Sequence, residues 1–278
     1  MNRRNLLGAS VVAGMASGLS ACGTSPAVLA KQGQGPEAFK PQNQRPHTFV
    51  LVHGAFHGGW CWRQVADVLR SQGHRVFTPT LTGAGERSHL LSRQLSLDVW
   101  TQDILNVLHW EQLQEVTLVG HSFAGVTLCG VAEQAKSHLR NLVFVDALLL
   151  DAGQSAFSSR PAADAERSRQ IAAQTSGGLS VPAPPLSAFG LTDPVITAAV
   201  TPLLTPHPLS IYESALDLRN PLGNGVPANY IVCSDPVFAP LEPSRAIARR
   251  MGCQFHEIKT NHEVMFTKPL ELARMLMA

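Results

Sequence analysis

Charge is scarce in this chain. Asp, Glu, Lys and Arg make up 15% of its 278 residues, and the formal net charge is +2. So balanced a surface gives no electrostatic reason to bind DNA, RNA or an acidic polymer. The 45% hydrophobic content instead describes a well-buried globular chain. Paired cysteines are missing too. Cys61, Cys129, Cys233 and Cys253 each sit alone in an apolar segment, with no Cys-x-x-Cys spacing. A metal site is therefore not expected, and buried free thiols are the default, with a disulfide left open. Nor does the start of the chain hold a hydrophobic run long enough to cross a membrane. The apolar stretch from Leu6 to Leu19 is shorter than the roughly 20 residues a spanning helix needs.

That stretch has another reading. Arg3-Arg4 followed by a short apolar, small-residue run is the pattern of an export signal over residues 1–30. Leu19-Ser20-Ala21-Cys22 resembles a bacterial lipobox, which makes Cys22 the expected lipidation site; the paired arginines also loosely match a twin-arginine signal. Cleavage after Val28-Leu29-Ala30 by an ordinary signal peptidase stays open as the alternative, as does an uncleaved segment. Residues 23–46 are rich in Gly, Pro, Gln and Lys and read as a solvated tether, of which 31–46 is linker on either cleavage. The expected location is outside the cytoplasm, periplasmic or anchored to a membrane through lipid alone.

Downstream, apolar runs alternate with helical periodicities. Thr48–Val52, Arg75–Phe77, Val116–Gly120, Asn141–Asp146, Tyr230–Cys233 and Gln254–Ile258 read as strands. Thr48–Val52 is continuous rather than alternating, as in a strand buried on both faces. Between them, helical spacing recurs over Trp60–Ser71, along Leu97, Trp100, Ile104, Val107 and Leu108, near Pro243–Met251, and over Leu270–Met277. Alternation of this kind demands a mostly parallel sheet flanked by helices, with right-handed crossovers. Residues 148–226 break it with Pro182, Pro184, Pro185, Pro202, Pro206 and Pro208. So long an interruption inside a compact fold is expected to be a helical cap over a site. The core is then 47–147 and 227–278.

The most informative stretch is Val116 to Gly125. A β-branched run ends in Gly120-His121-Ser122-Phe123-Ala124-Gly125 and passes straight into a helical segment. This is the pattern of a nucleophile elbow, whose strained turn holds a serine hydroxyl out at the sheet edge and tolerates only small residues two before and two after it. Ser122 is the candidate nucleophile. A free hydroxyl needs a base within hydrogen-bond reach, and His262, after the last strand, is the candidate. His109, His138 and His256 fall in ordinary elements, and the loop holding His53 and His57 offers no helix face to align a metal pair.

Together, His53-Gly54-Ala55-Phe56-His57-Gly58-Gly59-Trp60, Gly83-Ala84-Gly85-Glu86-Arg87, the elbow and His262 resemble the α/β-hydrolases of the plant hydroxynitrile lyase and methyl-salicylate esterase group, with their bacterial carboxylesterase relatives. The resemblance covers residues 47–278. It implies an α/β-hydrolase fold with the cap after the sixth-strand position, no cofactor, and a small-molecule ester as partner. It also implies an oxyanion hole from the N–H groups of Ala55 and Phe123. Asp235, after Tyr230–Ser234, is the favoured acid, although relatives carry theirs one residue later, where this chain has Pro236; Asp146 is the alternative. Both keep the order Ser, Asp, His. Cyanogenic members carry threonine and lysine where this chain has Gly54 and Glu263, which disfavours lyase chemistry. Ester hydrolysis through an acyl-enzyme is expected, with Phe56, Phe123 and Leu148 lining a pocket for a small-to-medium hydrophobic or aromatic ester. A related lyase or C–C or C–N hydrolase is the runner-up, and a non-catalytic receptor comes third.

Overall fold

The computed structural model describes residues 45–278; Arg3-Arg4, Cys22, the alternative cleavage site and all but the end of the tether lie outside the described residues. The chain runs through β1 (Thr48–Val52), α1 (Arg63–Ser71), β2 (Arg75–Phe77), α2 (Leu97–Trp110), β3 (Val116–His121), α3 (Ala124–Ala135) and β4 (Leu139–Val145). A long insertion then carries α4 (Ala162–Ser176), β5 (Ser180–Val181), α5 (Pro194–Val200), β6 (His207–Pro208) and α6 (Leu209–Glu213). The chain closes with β7 (Ala228–Cys233), α7 (Glu242–Arg250), β8 (Gln254–Ile258), α8 (Val264–Thr267) and α9 (Pro269–Met277).

Six strands form one sheet in the order β2-β1-β3-β4-β7-β8, and every neighbouring pair is parallel. The continuous apolar runs of β1, β3 and β4 follow from burial on both sides, whereas the edge strands β2 and β8 are partly exposed. Val50, Val52, Leu118, Leu142 and Phe144 point into a core shared with α2, α3 and α7. Phe49, Leu51, Val119, Val143 and Val145 point to the opposite face, where α1, α8 and α9 cover them. β4 starts two residues earlier than its sequence pattern suggests, because a register shift at Val116/Thr117 lets Leu139 join the ladder.

Chain order fixes where a site can form. From β1 the chain steps outward to β2, then crosses back to place β3 on β1's other side. The loops leaving β1 and β3 therefore diverge, opening a crevice at the strands' carboxyl ends. The interrupted segment 148–226 is not purely helical. Its β5 and β6 pair antiparallel, Ser180 with Pro208 and Val181 with His207, a ladder too short and proline-bound to register as strands in sequence. Part of it has a small apolar cluster of its own, Leu186, Leu191 and Val200.

Candidate active site

The turn after β3 is built for close approach. Ser122 has φ +52, a left-handed backbone that a non-glycine residue holds only under tertiary constraint. Its N–H donates to the Val145 carbonyl (3.1 Å), and its carbonyl accepts from Leu148 N–H (2.7 Å). Small neighbours are obligatory here. A Cβ at Gly120 would meet Leu128 Cδ1 at 2.6 Å and Ala124 Cβ at 3.2 Å, and one at Gly125 would meet the Leu148 carbonyl at 2.4 Å. Ala124 thus fits where the elbow pattern prefers glycine.

His262 reaches Ser122 from the loop after β8. Its Nε2 accepts from the Ser122 hydroxyl at 3.0 Å. The other ring nitrogen, Nδ1, donates to Asp146 Oδ2 at 2.7 Å. The expectation for Asp235 is corrected: Asp235 is exposed, and its backbone N–H is tied to the Thr260 carbonyl. The reason is positional. Asp146 directly follows β4, and its N–H, donating to Ile231 at 2.8 Å, extends the β4–β7 ladder. With φ +40, its side chain stays under the imidazole at 0% exposure. Asp235 lies two residues beyond β7, on a turn closed by the Ser234–Val237 bridge, and is carried out to solvent.

The buried Asp146 charge is matched by a residue that sequence reasoning missed. Arg245, on α7 and 3% exposed, donates from Nη2 to Asp146 Oδ1 at 3.1 Å and from Nη1 to Glu242 Oε2 at 3.1 Å. Nothing in the local pattern of α7 marks it; only packing of α7 against the end of β4 does.

Opposite Ser122, the loop after β1 is held carbonyl by carbonyl. His53 Nε2 accepts from Leu81 N–H at 3.0 Å, so its Nδ1 carries the proton and donates to Gly54 O at 2.8 Å. Burial pushes the His53 pKa down to about 4. That carbonyl shares its peptide with the Ala55 N–H, which, like that of Phe123, donates to no other group among the described residues. Gly54 brings this loop against the nucleophile: a Cβ there would lie 2.8 Å from Ser122 Cβ. Gly59 is equally forced, since its Cβ would fall 2.0 Å from the Thr78 carbonyl. His53 and His57 thus brace this loop, each through a backbone carbonyl, that of Gly54 and that of Ala55 respectively.

His121 packs on His262 with ring centroids 4.6 Å apart, and its Nε2 lies 2.9 Å from the His262 carbonyl. Burial lowers its pKa to about 3, so this ring is neutral and its Nε2–H donates. The four cysteines are free and buried.

A cavity of about 850 Å³ opens over Ser122. The expected lining residues Phe56, Phe123 and Leu148 are all present, with Ala55 beside them and Pro182 from the proline-rich cap; Phe189, Tyr212 and Phe238 were not foreseen. Phe238 lies 4.5 Å from the His262 ring. Arg160, just before α4, and Asp164, in its first turn, give part of the wall some polarity.

The pattern of the alpha/beta hydrolase family matches residues 49–275. The chain belongs to that family. It is 35% identical over 244 residues to the carbendazim hydrolyzing esterase of Nocardioides sp. (strain SG-4G), an alignment covering 83% of this chain and 98% of that protein. Methylesterase 2 of Arabidopsis thaliana is 28% identical over 262 residues, covering 85% and 97%. Among solved structures, an extracellular alpha/beta-hydrolase from a Paenibacillus species, described as sharing structural and functional homology with tobacco Salicylic Acid Binding Protein 2, aligns with TM-score 0.72 at 25% identity, covering 84% and 98%. The family inferred from the motifs is the family found.

Proposed function

We propose that this protein is a serine carboxylesterase acting on small-to-medium hydrophobic or aromatic esters. One observation carries the reading: the unbroken chain Ser122 Oγ, His262, Asp146, at 3.0 and 2.7 Å, opening on an apolar cavity. Ser122 Oγ attacks the ester carbonyl carbon while its proton passes to His262 Nε2. Asp146 stabilises the resulting imidazolium and fixes the ring's orientation. Negative charge gathers on the former carbonyl oxygen, for which the Ala55 and Phe123 N–H groups are the available donors. Collapse expels the alcohol, which takes the proton back from His262. Water, deprotonated by the same nitrogen, then attacks the acyl-serine, releasing the acid and restoring Ser122.

Lyase chemistry is disfavoured because Gly54 offers no hydroxyl where cyanogenic relatives carry threonine. Glu263 contributes less to that argument than its sequence position suggests, because its charge is buried against His57. Ser122→Ala should lower kcat on p-nitrophenyl butyrate by roughly 10⁴–10⁶ with the circular dichroism spectrum unchanged. Retention of a tenth of wild-type activity would overturn the acyl-enzyme route.

Export with lipid attachment at Cys22 belongs to the same reading and rests on the Arg3-Arg4 and Leu19–Cys22 motifs. Cys22→Ala should move the enzyme from the membrane fraction to a soluble one at unchanged kcat. A wild type that fractionates as soluble, with residue 31 found as its N-terminus by mass spectrometry, would favour plain secretion instead.

A further inference from the structure

His57 and Glu263 are buried, ionisable and unused by the steps above. Their side chains are 2% and 1% exposed, with Nε2 and Oε2 3.3 Å apart. The two atoms lie within ion-pair distance, and neither has another hydrogen-bond partner among the described residues. His57 Nδ1 lies 2.8 Å from the Ala55 carbonyl, an acceptor, so Nδ1 must carry a proton. Nε2 faces a carboxylate and is stabilised by carrying one as well. The ring that satisfies both sides is the imidazolium.

The two residues sit on the two loops whose spacing matters most. Glu263 directly follows His262; its N–H donates to Asn261 Oδ1 at 3.0 Å, and its carbonyl accepts from the N–H of Phe266 in α8 at 3.0 Å. His57 belongs to the loop after β1, where Phe56 has φ +68, a conformation an aromatic residue holds only when its surroundings impose it. Three consecutive carbonyls of that loop are tied down: Gly54 by His53, Ala55 by His57, and Phe56 by the Thr205 N–H at 2.9 Å. The middle tie is the one that also reaches the base loop.

We propose that the His57–Glu263 ion pair is a positioning device, clamping the oxyanion loop to the loop that carries His262 so that Ala55 N–H and Ser122 keep their spacing. The proposal rests on the esterase reading above. Burial alone would lower the His57 pKa, but the Glu263 charge reverses this and raises it. Burial would likewise raise that of Glu263, yet the His57 charge holds it down at about 2. His121 and His262, the other imidazoles near this carboxylate, have their protons committed elsewhere. Neither His57 nor Glu263 touches the reacting atoms, so their effect acts through Ala55.

The test uses full-length Glu263→Gln, His57→Gln and the double variant, with Glu263→Asp as a charge-preserving control should the amides fold poorly. Mispositioning a donor is expected to lower kcat about 10- to 100-fold in each single variant, below the 10²–10³ of deleting one, while KM stays within about threefold. Affinity for an aryl trifluoromethyl ketone, whose hemiketal oxygen occupies the oxyanion site, should fall in parallel with kcat/KM. Glu263→Asp should recover most of the loss. The double variant should be no worse than either single one, because the two act as a unit. Variants that lose melting temperature but keep kcat and inhibitor affinity would reduce the pair to a structural brace and overturn the proposal. Labelling of wild-type Ser122 by a fluorophosphonate separates the two ideas. Without labelling, the esterase reading fails and the clamp with it; with labelling and unaffected variants, only the clamp fails.

Discussion

The carboxyl ends of β4 and β7 invite comparison, because adjacent parallel strands each end near an aspartate and only one of the two meets His262. Asp146 is wholly buried, held at φ +40, bonded to the imidazole and balanced by Arg245. Asp235 is exposed, and no charged partner accompanies it among the described residues. The difference shows that a carboxylate's place in chain order does not make it a partner for the base. It must also be buried at the strand end beside the nucleophile and have its charge compensated there. Burying an ionised carboxylate without a counter-charge costs several kcal/mol, and Arg245 offsets that cost at one strand end only.

Three substitutions sharpen the contrast. Asp146→Asn removes the charge that orients and stabilises the His262 cation, and steady-state kinetics should show kcat falling roughly 10²–10⁴-fold. A variant near wild type would return the role to Asp235. Arg245→Met should leave Asp146 charged, buried and uncompensated. Urea denaturation is expected to reveal about 3–5 kcal/mol of lost stability, the usual consequence of removing one partner of a buried pair. A loss within 1 kcal/mol would mean that Asp146 needs no counter-ion. The smallest effect belongs to Asp235→Asn. On an exposed turn with no bond to the imidazole, it should leave kcat within about twofold and stability within about 0.5 kcal/mol.

How much was legible beforehand follows the same physics. The central strands of the main sheet could be read because burial on both faces forces continuous apolar runs, and Thr48–Val52 lies where the pattern puts it. Ser122 could be read because the elbow leaves a chemical trace: Gly120 and Gly125 each sit where even a Cβ would collide. The β5–β6 ladder could not, since two-residue strands carry no periodicity. Phe189 and Phe238 left no signal either, as contacts between a proline-rich insertion and the turn after β7 obey no sequence spacing.

By itself, then, the sequence determined the parallel sheet, the serine elbow, the base after the last strand and the family, because each is imposed by local sterics or by period. The choice of acid was decided by tertiary structure, since Asp146 and Asp235 both end a strand and both precede His262 in the chain. So was the pairing of His57 with Glu263, two residues about 200 positions apart. Burial, charge compensation and the distance between loops are properties of packed strand ends, and no local pattern encodes them.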